Sequence, residues 1–274
     1  MKLSTDRKTA SRVRRAPNGD DKPTAPNAFG LTPGPITAGG SCQVTPFCKS
    51  CYAVSTSRRF RAVDTLLSDN LAELLPIVDD ADALTDTLRP LVAESIRKQT
   101  AQGVAVPLFR WFWAGDLPSA AFGTAVRRLA LEFSSCRFWI YTRSLNYVHR
   151  LIVPTKPDNL AVYLSVDAWN LEHASQLRDK FGDRVRLAFC AENWTDAAEL
   201  AARIGETAPR CPELTGQIPL VVYADDHAKF GEGACSRCQL CTNGRGNVAF
   251  AVDRTPTAGQ TTRREVLVEL RRAS

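Results

Sequence analysis

The sequence predicts an α/β fold, a partial (β/α) barrel of about six parallel strands with a C-terminal cysteine-rich segment. Two observations predict it. Short apolar runs rich in β-formers alternate with segments of helical periodicity from residue 104 onward. Polar residues crowd just after those runs, where the C-terminal strand ends of a barrel form the active face. A doubly wound sheet is the second choice.

Taken in order, residues 1–26 are polar and hold Pro17, Pro23 and Pro26. They read as a disordered basic tail. Residues 27–31 form a short extended segment, and a Gly/Pro-rich stretch (32–40) leads into the first cysteines. Leu66, Leu67, Leu71, Leu74 and Leu75 fall at helical spacing. A second helix is expected from about Asp86 to Gln102, with Pro90 in its first turn and Gly103 as terminator.

The alternation then runs strand 104–113, helix 119–133, strand 137–142, short helix 146–152, strand 160–166, helix 171–181 and strand 184–190. Thr195 resembles an N-cap for a helix ending at Gly205. Strands are expected at 218–223 and 247–252. The domain reading is a barrel over 27–210, last strands with a second cysteine group over 211–262, and a basic tail over 263–274. The residues that follow the expected strands are Gly115 and Asp116, Arg143 and Ser144, Asp167, Glu192 and Asn193, then Asp225 and Asp226.

The chain has 274 residues, enough to bury a substantial core. With 44% hydrophobic and 23% charged residues, it is not a disordered chain as a whole. It has no apolar run of about 18 residues, so no membrane partner is expected. No apolar block follows the basic start, which argues against a secretory signal and for the cytoplasm. The net charge of +6 sits at the ends: residues 1–22 sum to +4 and residues 263–274 to +2. Such tails attract phosphate, so nucleic acid is a candidate partner, although the body carries no excess.

Nine cysteines without a secretory signal point to metal or redox chemistry rather than disulfides. Cys235, Cys238 and Cys241 follow a Cys-x2-Cys-x2-Cys pattern, with Cys211-Pro212 upstream. Cubane iron–sulfur clusters use such a run plus a remote Cys followed by Pro, because one loop can wrap three corners of the cluster. Zinc remains the competing occupant. Cys42, Cys48 and Cys51 form a second group with no local fourth ligand, and His149, His173 and His227 all lie far from it in sequence. Three thiolates on a 4Fe–4S cluster leave one iron open to a substrate or to S-adenosylmethionine. Cys136 reads as a core residue, and Cys190, at the end of a strand, as a buried hydrophobe or a residue that reaches a cluster; both are left out of the expected ligand sets.

The string Ser-Cys-x5-Cys-Lys-Ser-Cys-Tyr-Ala (41–53) resembles the Cys-Tyr-Ala loop of phage proteins near the radical-SAM superfamily. The nearest likeness is to the gene-product-eighty-eight family of mycobacteriophages. Residues 59–70, 109–116 and 138–144 agree in order, as does the late cysteine group, over about residues 28–245. The resemblance implies a radical-SAM-like, TIM-barrel-like partial barrel with a 4Fe–4S cluster on Cys42, Cys48 and Cys51. It implies S-adenosylmethionine held near Gly115, Asp116, Asp167 and Glu192. The loop differs from the usual radical-SAM one in having five residues, not three, between its first two cysteines.

Two functions are expected from this reading. The first is an iron–sulfur enzyme of phage or actinobacterial origin, with Arg143 and Asp225 on the substrate side and an electron donor as partner; its substrate is unspecified. The second is a nucleic-acid-binding protein whose clusters or zinc are structural, using the basic tails with Arg110, Trp111, Trp113, Arg143 and Trp169.

Overall fold

The computed structural model describes residues 1–19 and 21–253. The expected basic tail at 263–274 lies outside the described residues. In chain order the elements are β1 (Val13–Arg14), β2 (Lys22–Pro23), α1 (Tyr52–Arg59), α2 (Arg61–Leu74), α3 (Ala81–Thr100), β3 (Leu108–Trp111) and α4 (Ala120–Glu132). Then come β4 (Arg137–Thr142), α5 (Val148–Ile152), β5 (Leu160–Val166), α6 (Leu171–Phe181), β6 (Arg186–Ala191) and α7 (Trp194–Ala202). The chain finishes with β7 (Val221–Tyr223), β8 (Phe230–Gly233), α8 (Ala234–Cys238) and β9 (Val248–Ala251).

Five strands form a curled parallel sheet, a half-barrel, in the order β3-β4-β5-β6-β9. The register brings Leu108 opposite Arg137, Phe138 opposite Leu160, Tyr163 opposite Arg186 and Ala188 opposite Val248. Extended chain lengthens both edges. Ala28 bridges Arg110 in parallel on one side, and Arg210 bridges Ala249 on the other. The expected first strand at 27–31 is this edge segment.

Alternation divides the sheet residues between two faces. Phe109, Trp111, Phe138, Ile140, Val162, Leu164, Leu187 and Phe189 face the helices and form the main core with Leu88, Val126, Leu151 and Leu200. Leu108, Trp139, Ala161, Tyr163, Ala188 and Val248 face inward and form a second cluster, joined by Tyr141, Cys211, Leu240, Cys241 and Phe250. All seven residues of β5 are buried, as a parallel strand covered on both faces requires. The inner cover is the cysteine-bearing chain, not a layer of helices. Among the described residues no helix is long and apolar enough to cross a membrane.

Several elements differ from expectation. Residues 1–26 are not a loose tail. β1 pairs with β2 and β8, and the four-stranded antiparallel sheet runs β2-β1-β8-β7. Val13 is fully buried, and the Asn27 amide binds the Asp6 carbonyl and the Thr9 hydroxyl. A few buried residues fix this segment, and average composition conceals them. The 218–223 strand becomes β7 of the same sheet, because only a short turn separates it from β8 and such a turn permits only antiparallel pairing. The third helix starts earlier than expected, where the Asp80 carboxylate caps the Asp82 and Ala83 amides, so Pro90 lies in mid-helix. Asn193, not Thr195, caps α7.

Candidate metal centres

Cys211, Cys235, Cys238 and Cys241 converge on the inner face of the half-barrel. The Cys211 amide donates to the Ala249 carbonyl at 3.0 Å, which ties this cysteine to the edge of β9. Cys235 and Cys238 lie on α8, and left-handed Gln239 ends that helix so that the chain turns back to Cys241. Gly233, just before α8, lies against the N-terminal segment, and a Cβ there would fall 2.0 Å from the Arg7 carbonyl. Only glycine permits that approach, and it brings residues 6–8 alongside the cysteines.

The four thiols are electrostatic neighbours. Burial pushes Cys241 up to about 12; a hydrogen bond from the Tyr141 hydroxyl opposes the shift, while Cys211 and Cys238 raise it further. Burial also raises Cys235, with contributions from Asp6, Cys241 and Cys211 against the Arg110 guanidinium. Cys211 is raised by burial as well. The Tyr141 ring lies 5.2 Å from Tyr163 and 5.7 Å from Phe250, forming an aromatic floor. Buried thiols that raise one another stay protonated, and a bound cation releases those protons.

The other group occupies the mouth, at the C-terminal strand ends. Ser41 anchors its loop by donating to the Thr32 carbonyl at 2.8 Å and accepting the Asp116 amide at 3.1 Å. The Thr45 amide donates to Cys48 Sγ at 3.4 Å, and a tight 3-10 turn (Pro46–Ser50) brings the Cys51 amide onto the Cys48 carbonyl at 3.1 Å. Burial pushes Cys42 up to about 12, with smaller contributions from the charges of Asp116 and Cys51.

The remaining predicted residues take varied places. Asp116 is buried and accepts from the Thr142 hydroxyl at 2.6 Å and from the Leu117, Arg143 and Ser144 amides at 2.7, 2.7 and 3.2 Å. Both of its oxygens are thus engaged by protein donors. Gly115 has φ +75°, and a Cβ there would fall 2.5 Å from Ser41 Oγ and 2.7 Å from the Leu31 carbonyl, so it permits the close approach of that edge. Asp167 accepts from the Thr45 hydroxyl at 2.6 Å and from Arg143 Nε at 3.1 Å, fastening the cysteine loop to β5. Glu192 is exposed and accepts from the Ser50 hydroxyl at 3.2 Å.

Arg143 stands over Phe47 of the cysteine loop, 5.2 Å from the ring, and its Nη2 is buried without a hydrogen-bond partner. Its neighbours Cys190, Cys48 and Asp167 strengthen its positive charge. Asp225 is not at the mouth. It lies exposed in the turn between β7 and β8, where its carboxylate caps the His227 amide. The cause is the antiparallel placement of β7.

Three residues join the site that sequence reasoning left aside or cast in another role. Cys190 is raised by burial and feels Arg143, Asp167 and Cys48. Its parity with Ala188 places it on the inner face, a signal present in the alternation itself. Arg110 shares the parity of Leu108. It pairs with Asp6 at 2.8 Å, donates to the Tyr52 hydroxyl at 3.2 Å and lies 5.6 Å from the Tyr141 ring. It therefore stands between the two cysteine groups. Tyr52, directly after Cys51, also donates to the Trp113 carbonyl.

All nine cysteines are free thiols. Among the described residues no three His, Cys, Asp or Glu side chains stand close enough to hold a single metal ion. The residues expected to meet nucleic acid are mostly engaged elsewhere: Trp111 is core, and Arg110 and Arg143 are ion-paired. Trp169 is exposed.

A family model described as Gene product 88 matches residues 1–244, a span holding all seven clustered cysteines. The chain is 35% identical over 257 residues to the Gene 88 protein of Mycobacterium phage L5, covering 92% of this chain and 97% of that protein. It is 34% identical over 256 residues to the Gene 88 protein of Mycobacterium phage D29, with the same coverage. No solved structure matches.

Proposed function

The chain belongs to the Gene product 88 family of bacteriophage proteins, and on that premise we propose an iron–sulfur enzyme with a sealed inner cluster and a reactive outer one. The observation that carries the reading is the convergence of Cys211, Cys235, Cys238 and Cys241, from segments far apart in sequence, onto one buried face. Core cysteines have no reason to gather, since each buried thiol raises its neighbours.

The donor chemistry fits a cluster better than zinc. Zinc–thiolate bonds of about 2.3 Å set tetrahedral sulfurs about 3.8 Å apart. A cubane interposes a core of iron and sulfide and so accepts thiolates spaced more widely. Tyr141 offers its hydroxyl to Cys241, while the Tyr163 hydroxyl donates to the Gly246 carbonyl at 2.8 Å and holds the loop after Cys241; a hydrogen bond of the first kind tunes a cluster's potential.

When bound, a four-iron cluster supplies one-electron transfer, and one held by three thiolates leaves an iron for the amino and carboxylate groups of S-adenosylmethionine. At the mouth, Cys42, Cys48 and Cys51 would hold it. Arg143 Nη2, an unpaired donor beside Cys48, suits a ligand's carboxylate. Asp116 and Asp167 serve in this reading as braces that position Arg143 and the loop, because their oxygens are already engaged.

The test is anaerobic purification with iron, sulfide and zinc counted per chain. About eight iron and eight sulfide are expected, and half of each after Cys42, Cys48 and Cys51 are changed to Ala. Stoichiometric zinc without sulfide would overturn the cluster reading. For the enzyme half, S-adenosylmethionine should alter the electron paramagnetic resonance of the reduced wild type, and Arg143→Gln should weaken that response. An unaltered spectrum with no 5′-deoxyadenosine formed would reject it.

A further inference from the structure

At the opposite end of the parallel sheet, where the strands begin, lies a cleft of about 580 Å³. Its walls are the starts of β4, β5 and β6 and the loop that follows Cys241. Arg137, Lys156, Arg184, Arg186 and Arg245 line it, against Asp158 and Asp183, leaving an excess of three positive charges. The excess is local, for the chain body between the two ends sums to about zero. One of the two acids is already committed, since Asp183 pairs with Arg178 and Arg186.

Two arginines of the strand starts tie down the loop. Arg186 Nε donates to the Gly244 carbonyl at 2.9 Å, and Arg137 donates to the Asn243 side chain. The Arg245 guanidinium has no hydrogen bond or ion pair among the described residues. Lys156 donates only to the adjoining Pro157 carbonyl, at 3.2 Å. Burial holds its ammonium below the ordinary lysine range, with Asp158 opposing the shift and Arg186 adding a little to it. A second observation points to a ligand. Thr242 lines the cleft and is 3% exposed, yet its hydroxyl has no hydrogen-bond partner. Buried hydroxyls are rarely left so.

We propose that this cleft binds phosphate, as carried by a nucleotide or by a nucleic-acid backbone. Clustered guanidinium and ammonium groups with a hydroxyl donor match a phosphoryl group's oxygens. No aromatic side chain lines the cleft, so the recognised part is the phosphate and not a stacked base. The site is independent of the iron–sulfur reading, although its loop begins directly after Cys241.

The test is isothermal titration of the anaerobically purified full chain, its iron content measured beforehand, with inorganic pyrophosphate, a nucleoside monophosphate and a single-stranded oligonucleotide. Pyrophosphate should bind the wild type, and about tenfold more weakly after the double change Lys156→Gln and Arg245→Gln. Thr242→Val should weaken it with the charges intact. Arg97→Gln with Lys98→Gln, on the exposed face of α3, removes equal charge and should leave binding unchanged. Tighter oligonucleotide binding that pyrophosphate displaces would identify the backbone as the source; binding of pyrophosphate and the nucleotide alone would identify the small ligand. No pyrophosphate binding by iron-replete protein, or equal weakening in the α3 control, would overturn the proposal. Iron and sulfide unchanged in the variants would keep this result separate from the fate of the clusters.

Discussion

Cys42, Cys48 and Cys51 come from a single loop, while Cys211, Cys235, Cys238 and Cys241 come from an edge segment, a short helix and a turn. The loop is held by polar contacts: Ser41 to Thr32 and Asp116, Thr45 to Asp167, and Arg143 over Phe47. In the quartet, Cys211 and Cys241 pack against the apolar cluster of Trp139, Tyr163, Ala188 and Val248, and Cys235 and Cys238 ride on α8. Polar anchoring holds the outer group at the mouth, where the strands end, although all seven cysteines are half-buried alike. Apolar anchoring makes the inner group part of the cover over the sheet. On the iron–sulfur reading proposed above, that difference would give chemistry to the first group and structural containment to the second.

The comparison breaks or holds first on stability. Cys235→Ala should remove the inner cluster and uncover the inner face, because metal binding in such a site is also folding free energy. A loss of more than about 3 kcal/mol is expected in urea unfolding, together with rapid proteolysis near 211–247. Cys48→Ala should remove the outer cluster alone and cost about 1 kcal/mol. Equal destabilisation by the two changes would abolish the distinction between a sealing site and a reactive one.

A smaller effect sharpens it. Tyr141→Phe deletes the hydroxyl offered to Cys241 and leaves the ring, whereas Tyr163→Phe removes a donor to the Gly246 carbonyl and serves as the matched control. The inner potential should fall by on the order of 50–100 mV in Tyr141→Phe, as expected for losing a hydrogen bond to a charged sulfur, and by less in Tyr163→Phe. The outer cluster's potential should not move. Redox titration followed by electron paramagnetic resonance measures both, and movement of both together would mean that the groups share one electrostatic unit through Arg110, which contacts Tyr52 and lies over Tyr141.

The sequence carried the sheet more clearly than the site. β4, β5 and α6 stand where periodicity puts them, because each is a run whose burial repeats at its own period. β7 was legible as a strand but not as a member of the other sheet, since pairing direction depends on the six-residue turn to β8 and not on the strand. The N-terminal segment was misread because single residues such as Val13 and Asn27 fix it. The cysteine spacing announced two groups. It could not announce that Asp116 and Asp167 would be consumed by Thr142, Arg143 and Thr45, partners far away in sequence. Cys190 was open to discovery by strand parity alone.

Cys136 supplies the smallest effect and the control for both groups. It is fully buried in the helix-side core, away from either site, and burial alone raises its thiol above the ordinary value. Cys136→Ala should leave iron and sulfide unchanged and cost about 1–2 kcal/mol at neutral pH through lost packing. The sign of its pH dependence follows from that raised value. A thiol with a higher folded than unfolded pKa holds its proton longer in the native state, so its contribution is complete below about pH 8.5 and declines as pH rises toward the folded value. The wild type therefore loses stability in alkali through a proton that the alanine variant lacks. Urea unfolding at about pH 7 and about pH 10 should show the cost of the substitution shrinking at the higher pH. A cost that grew with pH would mean the thiol is ionised in the native protein, and Cys136 would then have to be counted among the reactive sulfurs.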